Sequence, residues 1–90
     1  MIEVKKKNVD QFLVIVNEGN SETGYNVELD DEYYQRLTGG KINKEDFIKK
    51  SFQFLLHREP KESIFSKFNL RIIKGYFPEY EKEIRKVIKC

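Results

Sequence analysis

The side chains best suited to acid–base or metal chemistry are few in this sequence, and they are widely separated. His57 is the only histidine, and helical spacing places it on the polar side of its helix with Lys50 and Gln53, without a second ligand nearby. None of the four serines lies in the Gly-x-Ser-x-Gly pattern of an exposed nucleophile. We therefore expect His57 to be exposed near a helix end, and we expect no catalytic residue, metal ligand or cofactor.

The segment Gly39-Gly40-Lys41 has a superficial likeness to a phosphate-binding loop. It lacks the Gly-x-x-x-x-Gly-Lys-Ser/Thr spacing, and no strand precedes it. The glycine pair is better interpreted as the end of a helix, where a left-handed residue is needed. The acidic clusters at 30–31 and 79–83 are explained by helix capping and by a solvated helix face. The sequence therefore predicts a protein that is not an enzyme.

The last predicted helix carries a basic ridge opposite its apolar stripe. The ridge consists of Lys82, Arg85, Lys86 and Lys89, and two further candidate binding residues, Arg71 and Lys74, precede it in the most positive third of the chain. We expect Glu81 to pair with Arg85, and Glu83 with Lys86. An ordinary amphipathic helix explains this pattern, and the functional alternative is a surface for an acidic partner or a phosphate backbone.

Length and composition restrict the chain to a small protein with one core. Its 90 residues suit a single domain, 1–90, and include 28 Leu, Ile, Val and Phe, which is above the fraction found in disordered chains. The net charge of +2 is small for a nucleic-acid binder. With Cys90 as the only cysteine, and neither a signal peptide nor an apolar run of membrane-spanning length, we expect a cytoplasmic protein without a disulfide.

Residues 9–29 have the pattern of a β-hairpin. Glu18-Gly19-Asn20-Ser21 is a two-residue turn signal, because glycine tolerates positive φ at the first central position. That turn predicts three cross-strand pairs on one face of the sheet: Phe12 with Val27, Val14 with Tyr25, and Val16 with Thr23. The alternative is a longer loop over 17–24, which would shift the register. Ile2 and Val4 alternate with charged residues, so the sheet has two or three strands.

Capping signals divide the next stretch into two helices. Leu29-Asp30-Asp31-Glu32 ends the strand and starts the first helix, because aspartate is a strong N-cap and acids in the first turn favour the helix dipole. That helix ends at the glycine pair. Asn43 caps the central helix, and Glu59-Pro60 ends it because proline disfavours helix in the residue before it. The central helix is apolar over more than half of its circumference, which is typical of a helix packed on two sides.

Three shorter helical segments complete the prediction. A helical turn at 63–68 holds Ile64, Phe65 and Phe68. Asn69 caps another short helix, whose apolar residues are Leu70, Ile72, Ile73 and Tyr76. The last helix begins with Pro78, whose missing N–H is harmless at that position. Its apolar face is predicted to contain Tyr80, Ile84, Val87 and Ile88.

These elements predict an α+β fold in which an N-terminal β-hairpin region, 1–29, packs on four to five short helices in the region 30–90. We expect a non-enzymatic interaction module with a protein partner. The alternative is a weak nucleic-acid binder that uses the basic ridge, and an enzyme is the third option. An exposed apolar patch favours the module, a continuous basic surface favours nucleic acid, and a deep pocket with converging polar groups favours an enzyme.

Three phrases of the sequence, LDDEYYQRLTGG at 29–40, FLLHREPKESI at 54–64 and YFPEYEKEI at 76–84, resemble those of a small family of uncharacterised prokaryotic proteins. The resemblance implies no activity and transfers no catalytic residue. Residues 27–56 are also similar to the ribbon-helix-helix repressor pattern of one strand and two helices. They depart from it because Asn26 and Glu28 would face the major groove, where basic or polar donors are needed, and because the glycine pair shortens the first helix.

Overall fold

Four strands form a single sheet in the computed structural model, which describes residues 1–89, with only the backbone of Lys89. The strands are β1 (Ile2–Lys6), β2 (Gln11–Glu18), β3 (Ser21–Glu28) and β4 (Lys67–Asn69), in the order β1-β2-β3-β4. β2 pairs antiparallel with both β1 and β3, and β4 pairs parallel with β3. The α+β class and the N-terminal hairpin are confirmed, and β1 is the third strand that the alternation allowed.

The register of the hairpin is the one predicted from its turn. Phe12 faces Val27, Val14 faces Tyr25, and Val16 faces Thr23. Gly19 has a φ of 60°, and no non-glycine residue from 1 to 89 has positive φ, so only the first central residue of the turn is left-handed, as in a type II′ turn.

The segment 63–68 corrects the sequence prediction. A 3₁₀ turn occupies Lys61–Ser63, and Ile64 is extended, with φ −85° and ψ 134°. Phe68 then lies in β4, where it faces Val27 across a parallel ladder. The helical turn predicted for 63–68 is therefore wrong, and a strand lies within the stretch 30–90 that was predicted to be helical. Ile64 and Phe68 pack in or against the core, whereas Phe65 faces solvent. The three apolar residues therefore do not share one helix face.

Four α-helices cover one face of the sheet: α1 (Asp31–Thr38), α2 (Lys44–Arg58), α3 (Ile73–Tyr76) and α4 (Tyr80–Lys89). The boundaries of α1 agree with prediction, with Asp30 at the N-cap and Gly39 left-handed at φ 63°, although the Asp30 side chain makes no capping bond. Asn43 caps α2 by accepting a hydrogen bond from Asp46 N at 2.7 Å. A 3₁₀ turn, Leu70–Ile72, leads into α3, and Asn69 caps it.

The last helix differs from prediction in two details. It begins at Tyr80, because Pro78 lies in a turn that is closed by Tyr80 N donating to Phe77 O at 2.9 Å. Val87 is 45% exposed, so the buried stripe of α4 is narrower than predicted. That stripe is formed by Tyr80, Ile84 and Ile88.

The core lies between the sheet and the helices. The five apolar residues of the three predicted cross-strand pairs are all buried: Phe12, Val14, Val16, Tyr25 and Val27. The Tyr25 ring lies 5.2 Å from the ring of Phe52 on α2, and Phe52 lies 6.0 Å from Phe68 on β4. Through Phe52, the central helix α2 therefore packs against an aromatic residue of β3 and one of the short edge strand β4.

The strand order and the length of the helices each bear on one class of function. Because β4 pairs with β3 at Asn26, Val27 and Glu28, this part of the strand is not free to pair with a second copy, as the strand of a ribbon-helix-helix repressor would. Within residues 1–89, the helices are all too short or too polar to cross a membrane.

Candidate binding groove

The segment between the end of α2 and the start of α4 forms an apolar groove at the β4 edge of the sheet. Pro60 stops α2, the 3₁₀ turn follows, and the chain then extends into β4 before it folds back as α3. The groove encloses about 180 Å³. Its walls come from the end of α2 (Leu55), the extended segment (Ile64, Phe65) and the α3 region (Ile73, Tyr76, Phe77).

Two aromatic rings form the outer rim of the groove. Phe65 and Tyr76 are 53% and 63% exposed, and they meet edge to face with ring centroids 5.8 Å apart. Ile64 and Phe65 are neighbours in extended chain, so their side chains point to opposite sides: Ile64 packs against the core while Phe65 faces solvent. Two large rings held together at the surface leave apolar area that the fold does not cover.

The floor of the groove belongs to the core. Leu55, Phe68 and Ile73 are buried, and the side chains of Ile72 and Phe77 are partly buried against them. The polar side chains at the groove are those of Glu59 and Ser63. An apolar floor with so few polar groups is suited to binding an apolar side chain, and it offers no acid–base pair for proton transfer.

A buried anchor holds the start of this segment against the hairpin. The backbone of Lys61 accepts a hydrogen bond from the Tyr25 hydroxyl at 2.6 Å, and Lys61 Nζ donates to Ser21 Oγ. The pKa of Tyr25 is raised, first by burial and then by the negative charges of Glu62 and Glu18, so the hydroxyl stays protonated as a donor. The groove is therefore positioned by the sheet itself.

The basic ridge is exposed to solvent, and an acidic side chain neutralises part of its charge. Lys82, Arg85 and Lys86 are exposed on α4, whereas the side chain of Lys89 lies outside the described residues. Lys86 pairs with Glu83 at 3.4 Å, as predicted. The predicted pair of Glu81 with Arg85 is wrong, because the Glu81 carboxylate contacts the Tyr33 hydroxyl of α1 and Lys74 of α3 instead.

Arg71 and Lys74 belong to a separate cluster around the buried ring of Tyr33. Both cations lie over that ring, at 5.7 and 5.8 Å from its centroid. Arg71 also pairs with Asp30 at 2.6 Å, and Lys74 with Glu81 at 3.8 Å. The Tyr33 hydroxyl donates to the same Glu81 carboxylate at 3.0 Å. The pKa of Tyr33 is raised, chiefly by burial and then by the Glu81 hydrogen bond. These cations connect helices and are engaged within the fold.

His57 lies where the sequence placed it, exposed on α2. It borders a second pocket, of about 400 Å³, between α2 and α4 with Lys50, Phe54 and Val87. In the part of the chain that the structure describes, no three histidine, cysteine or acidic residues are grouped so that they could hold a metal ion.

Sequence reasoning missed the two residues that define the groove. Phe65 and Tyr76 were assigned to apolar helix faces, which hid their exposure. The available signal was the adjacent pair Ile64-Phe65: once the segment is extended, two successive apolar residues cannot both face one core. No family model, curated protein or solved structure matches the chain, and the resemblance to the uncharacterised prokaryotic family stays a prediction.

Proposed function

We propose that the protein is a non-enzymatic interaction module that binds a partner protein in the groove. The observation that carries the proposal is the exposed pair Phe65 and Tyr76 at the rim of an apolar groove. Aromatic residues with a partly buried floor beneath them are typical of interface anchor sites. The partner segment is expected to insert one aromatic or long aliphatic side chain against Leu55, Ile73 and Phe77.

The composition of the groove supports a protein segment over a charged small molecule. Its walls are mainly apolar, with Glu59 as the acidic group at the rim. A phosphate or carboxylate ligand would require cations in the site, whereas Arg71 and Lys74 are engaged with Asp30 and Glu81.

The test uses a phage-displayed library of random peptides. We expect enriched peptides to share an apolar anchor residue, and the Kd of a selected peptide to rise at least about tenfold in Phe65→Ala/Tyr76→Ala, the usual effect of removing interface anchors. Val87→Ala is the matched control, because it removes an exposed apolar side chain elsewhere, and it should change the Kd less than about twofold. Peptides that bind the double variant as tightly as the wild type would refute the groove as the site.

The nucleic-acid alternative has one specific observation in its favour. Lys82 and Arg85 are exposed on the same helix, and neither forms an ion pair with any residue in 1–89. Two such cations give a small positive patch, which is enough for weak, sequence-independent attraction to phosphates.

A further inference from the structure

The outer edge of β1 has hydrogen-bonding groups that the fold leaves unpaired. Met1 N donates to Asn17 O, and Asn17 N donates to Met1 O, both at 2.8 Å. These reciprocal bonds fix the pattern of the antiparallel ladder, in which alternate residues direct their backbone groups to the neighbouring strand. Glu3 and Lys5 therefore direct theirs toward β2.

The alternate residues direct their N–H and C=O groups away from the sheet. These residues are Ile2, Val4 and Lys6, and their outward groups have no hydrogen-bond partner within residues 1–89. The strand has five residues without proline. Such an edge is a template for one more strand.

We propose that β1 pairs antiparallel with β1 of a second copy, around a two-fold axis at Val4. The two sheets would then form one continuous sheet with an isologous interface. In this register Val4 faces Val4 of the second copy, and Ile2 faces Lys6. The proposal is independent of the groove, which lies at the opposite edge of the sheet.

Charge complementarity selects the second copy as the occupant. Around Val4, Glu3 faces Lys5 of the second copy, and Lys5 faces Glu3, so both cross-strand pairs are of opposite charge. They occupy the non-hydrogen-bonded positions, where side chains approach most closely. Both residues are exposed and form no ion pair with the residues that the structure describes, so these charges are available for the pairing.

Neighbouring registers of the same strand pair are disfavoured by charge. A shift of the two-fold axis to Lys5 places two lysines directly opposite each other, and a shift to Glu3 places two glutamates there. Like charges at directly opposed positions destabilise a sheet. The charges of β1 thus favour the register centred on Val4, because opposite charges face each other there. They also disfavour the shifted registers, where like charges face each other.

The apolar side of the strand favours the same arrangement. The side chains of Ile2 and Val4 are partly buried against the core, and α2 packs against β1 on the helical face of the sheet. The second copy would cover the rest of Val4 with its own Val4, and the aliphatic part of Lys6 can lie over Ile2. Because one strand edge is a small contact, we expect a dimer of moderate affinity, with a Kd of about 1–100 μM.

Sedimentation velocity from about 5 μM to about 1 mM, with any tag at the C-terminus, tests the proposal across that affinity range. Glu3→Lys or Lys5→Glu creates two like-charge pairs, and each should weaken the dimer at least about tenfold. An equimolar mixture of these two variants restores both opposite-charge pairs and should dimerise as tightly as the wild type. Glu22→Lys, an equal charge change on the interior strand β3, is the control and should have no effect.

Amide hydrogen exchange supplies the backbone readout. We expect protection of the Val4 and Lys6 amides to increase with protein concentration, while Glu3 and Lys5 are protected at all concentrations by β2. A monomer at about 1 mM would overturn the proposal. So would a dimer that is insensitive to both charge reversals. Because the groove variant Phe65→Ala/Tyr76→Ala should dimerise normally, loss of peptide binding and loss of dimerisation can be distinguished.

Discussion

At the scale of single residues, the buried tyrosines show how this small core contains polar groups without leaving any of them unsatisfied. Tyr25 donates to a backbone carbonyl of the 3₁₀ turn, Tyr34 to Ile42 O at 2.5 Å, and Tyr33 to the Glu81 carboxylate. Within residues 1–89, every buried side-chain nitrogen and oxygen has a partner. Each ring fills the core while its hydroxyl connects two elements.

The fourth case, Tyr80, has a determined direction of donation. Ser51 Oγ donates to Phe47 O at 2.9 Å, which uses its only hydrogen. The Tyr80 hydroxyl, 2.6 Å from the same oxygen, must therefore be the donor. Burial raises the pKa of Tyr80, so this proton is retained. The bond joins the start of α4 to the middle of α2, and a sequence pattern contains no signal for it.

This direction of donation predicts an asymmetric double-mutant cycle. Ser51→Ala removes the acceptor and leaves a buried Tyr80 donor without a partner, so we expect a loss of about 1–3 kcal/mol in unfolding free energy. Tyr80→Phe leaves Ser51 still donating to Phe47 O, and the loss should be about 0.5–1.5 kcal/mol. In the Tyr80→Phe background, Ser51→Ala should then have a smaller effect. Urea unfolding of the four proteins measures this, and additive losses would contradict it.

At the scale of elements, local signals account for what the sequence predicted correctly. The Gly19-Asn20 turn fixes the register of β2 and β3, because a two-residue hairpin allows only one pairing. Asn43 and Gly39 mark helix ends through bonds and angles within a few residues of themselves. The capping residues and the turn act over short distances along the chain. The local sequence is therefore sufficient to predict the hairpin register and these helix ends.

The elements that were missed depend on contacts between distant parts of the chain. β4 has three residues and pairs with β3 through Asn26, Val27 and Glu28, far earlier in the sequence. Three residues are too few to show an alternating pattern, and Ile64-Phe65 and Phe68 have spacings that also suit a helix. The groove was missed for the same reason, because its rim depends on that extended segment.

The central helix makes the strongest element-level prediction. Phe52 has no exposed surface and contacts both Tyr25 and Phe68. Phe52→Ala is expected to lower the unfolding free energy by about 3–5 kcal/mol, because truncation leaves a cavity between α2, β3 and β4. The control is Phe65→Ala, the same substitution at an exposed ring, with an expected loss of about 1 kcal/mol or less. Denaturant unfolding measures both, and similar losses would refute the contrast in burial.

At the scale of the whole molecule, the sheet separates the proposed dimer edge from the binding groove. β1 and β4 are its opposite edges, so the proposed pairing through β1 leaves the groove beside β4 open on each copy. Such a dimer would present two grooves to one partner, and linked sites bind more tightly than single ones when the geometry allows both to engage. The short β4 edge is followed at once by a 3₁₀ turn, whereas β1 is the longer edge with unpaired groups.

The charge distribution supports only weak binding to nucleic acid. The net charge is +2, and Arg71, Lys74 and Lys86 are paired with acids. This leaves Lys82 and Arg85 as the exposed cations of α4 without an ion pair within residues 1–89. The sequence identified all of these residues as candidates and predicted the pair of Lys86 with Glu83 within one helix. It did not show that Arg71 and Lys74 are neutralised, because their pairs with Asp30 and Glu81 connect different elements.

Lys82 and Arg85 determine how nucleic-acid binding should depend on salt. Each phosphate contact on duplex DNA contributes about −0.9 to the slope of log K against log salt, so two contacts predict a slope near −2. We expect a Kd above about 10 μM at physiological salt, without sequence preference. Lys82→Glu/Arg85→Glu should abolish the binding, whereas Lys49→Glu/Lys67→Glu, an equal charge change at other exposed positions, should weaken it less because only long-range attraction is lost. Fluorescence anisotropy with labelled duplex and single strands between about 50 and 200 mM salt measures the slope. Sub-micromolar, sequence-selective binding would instead make nucleic acid the principal ligand, because two unpaired cations on one helix cannot supply that affinity without base contacts.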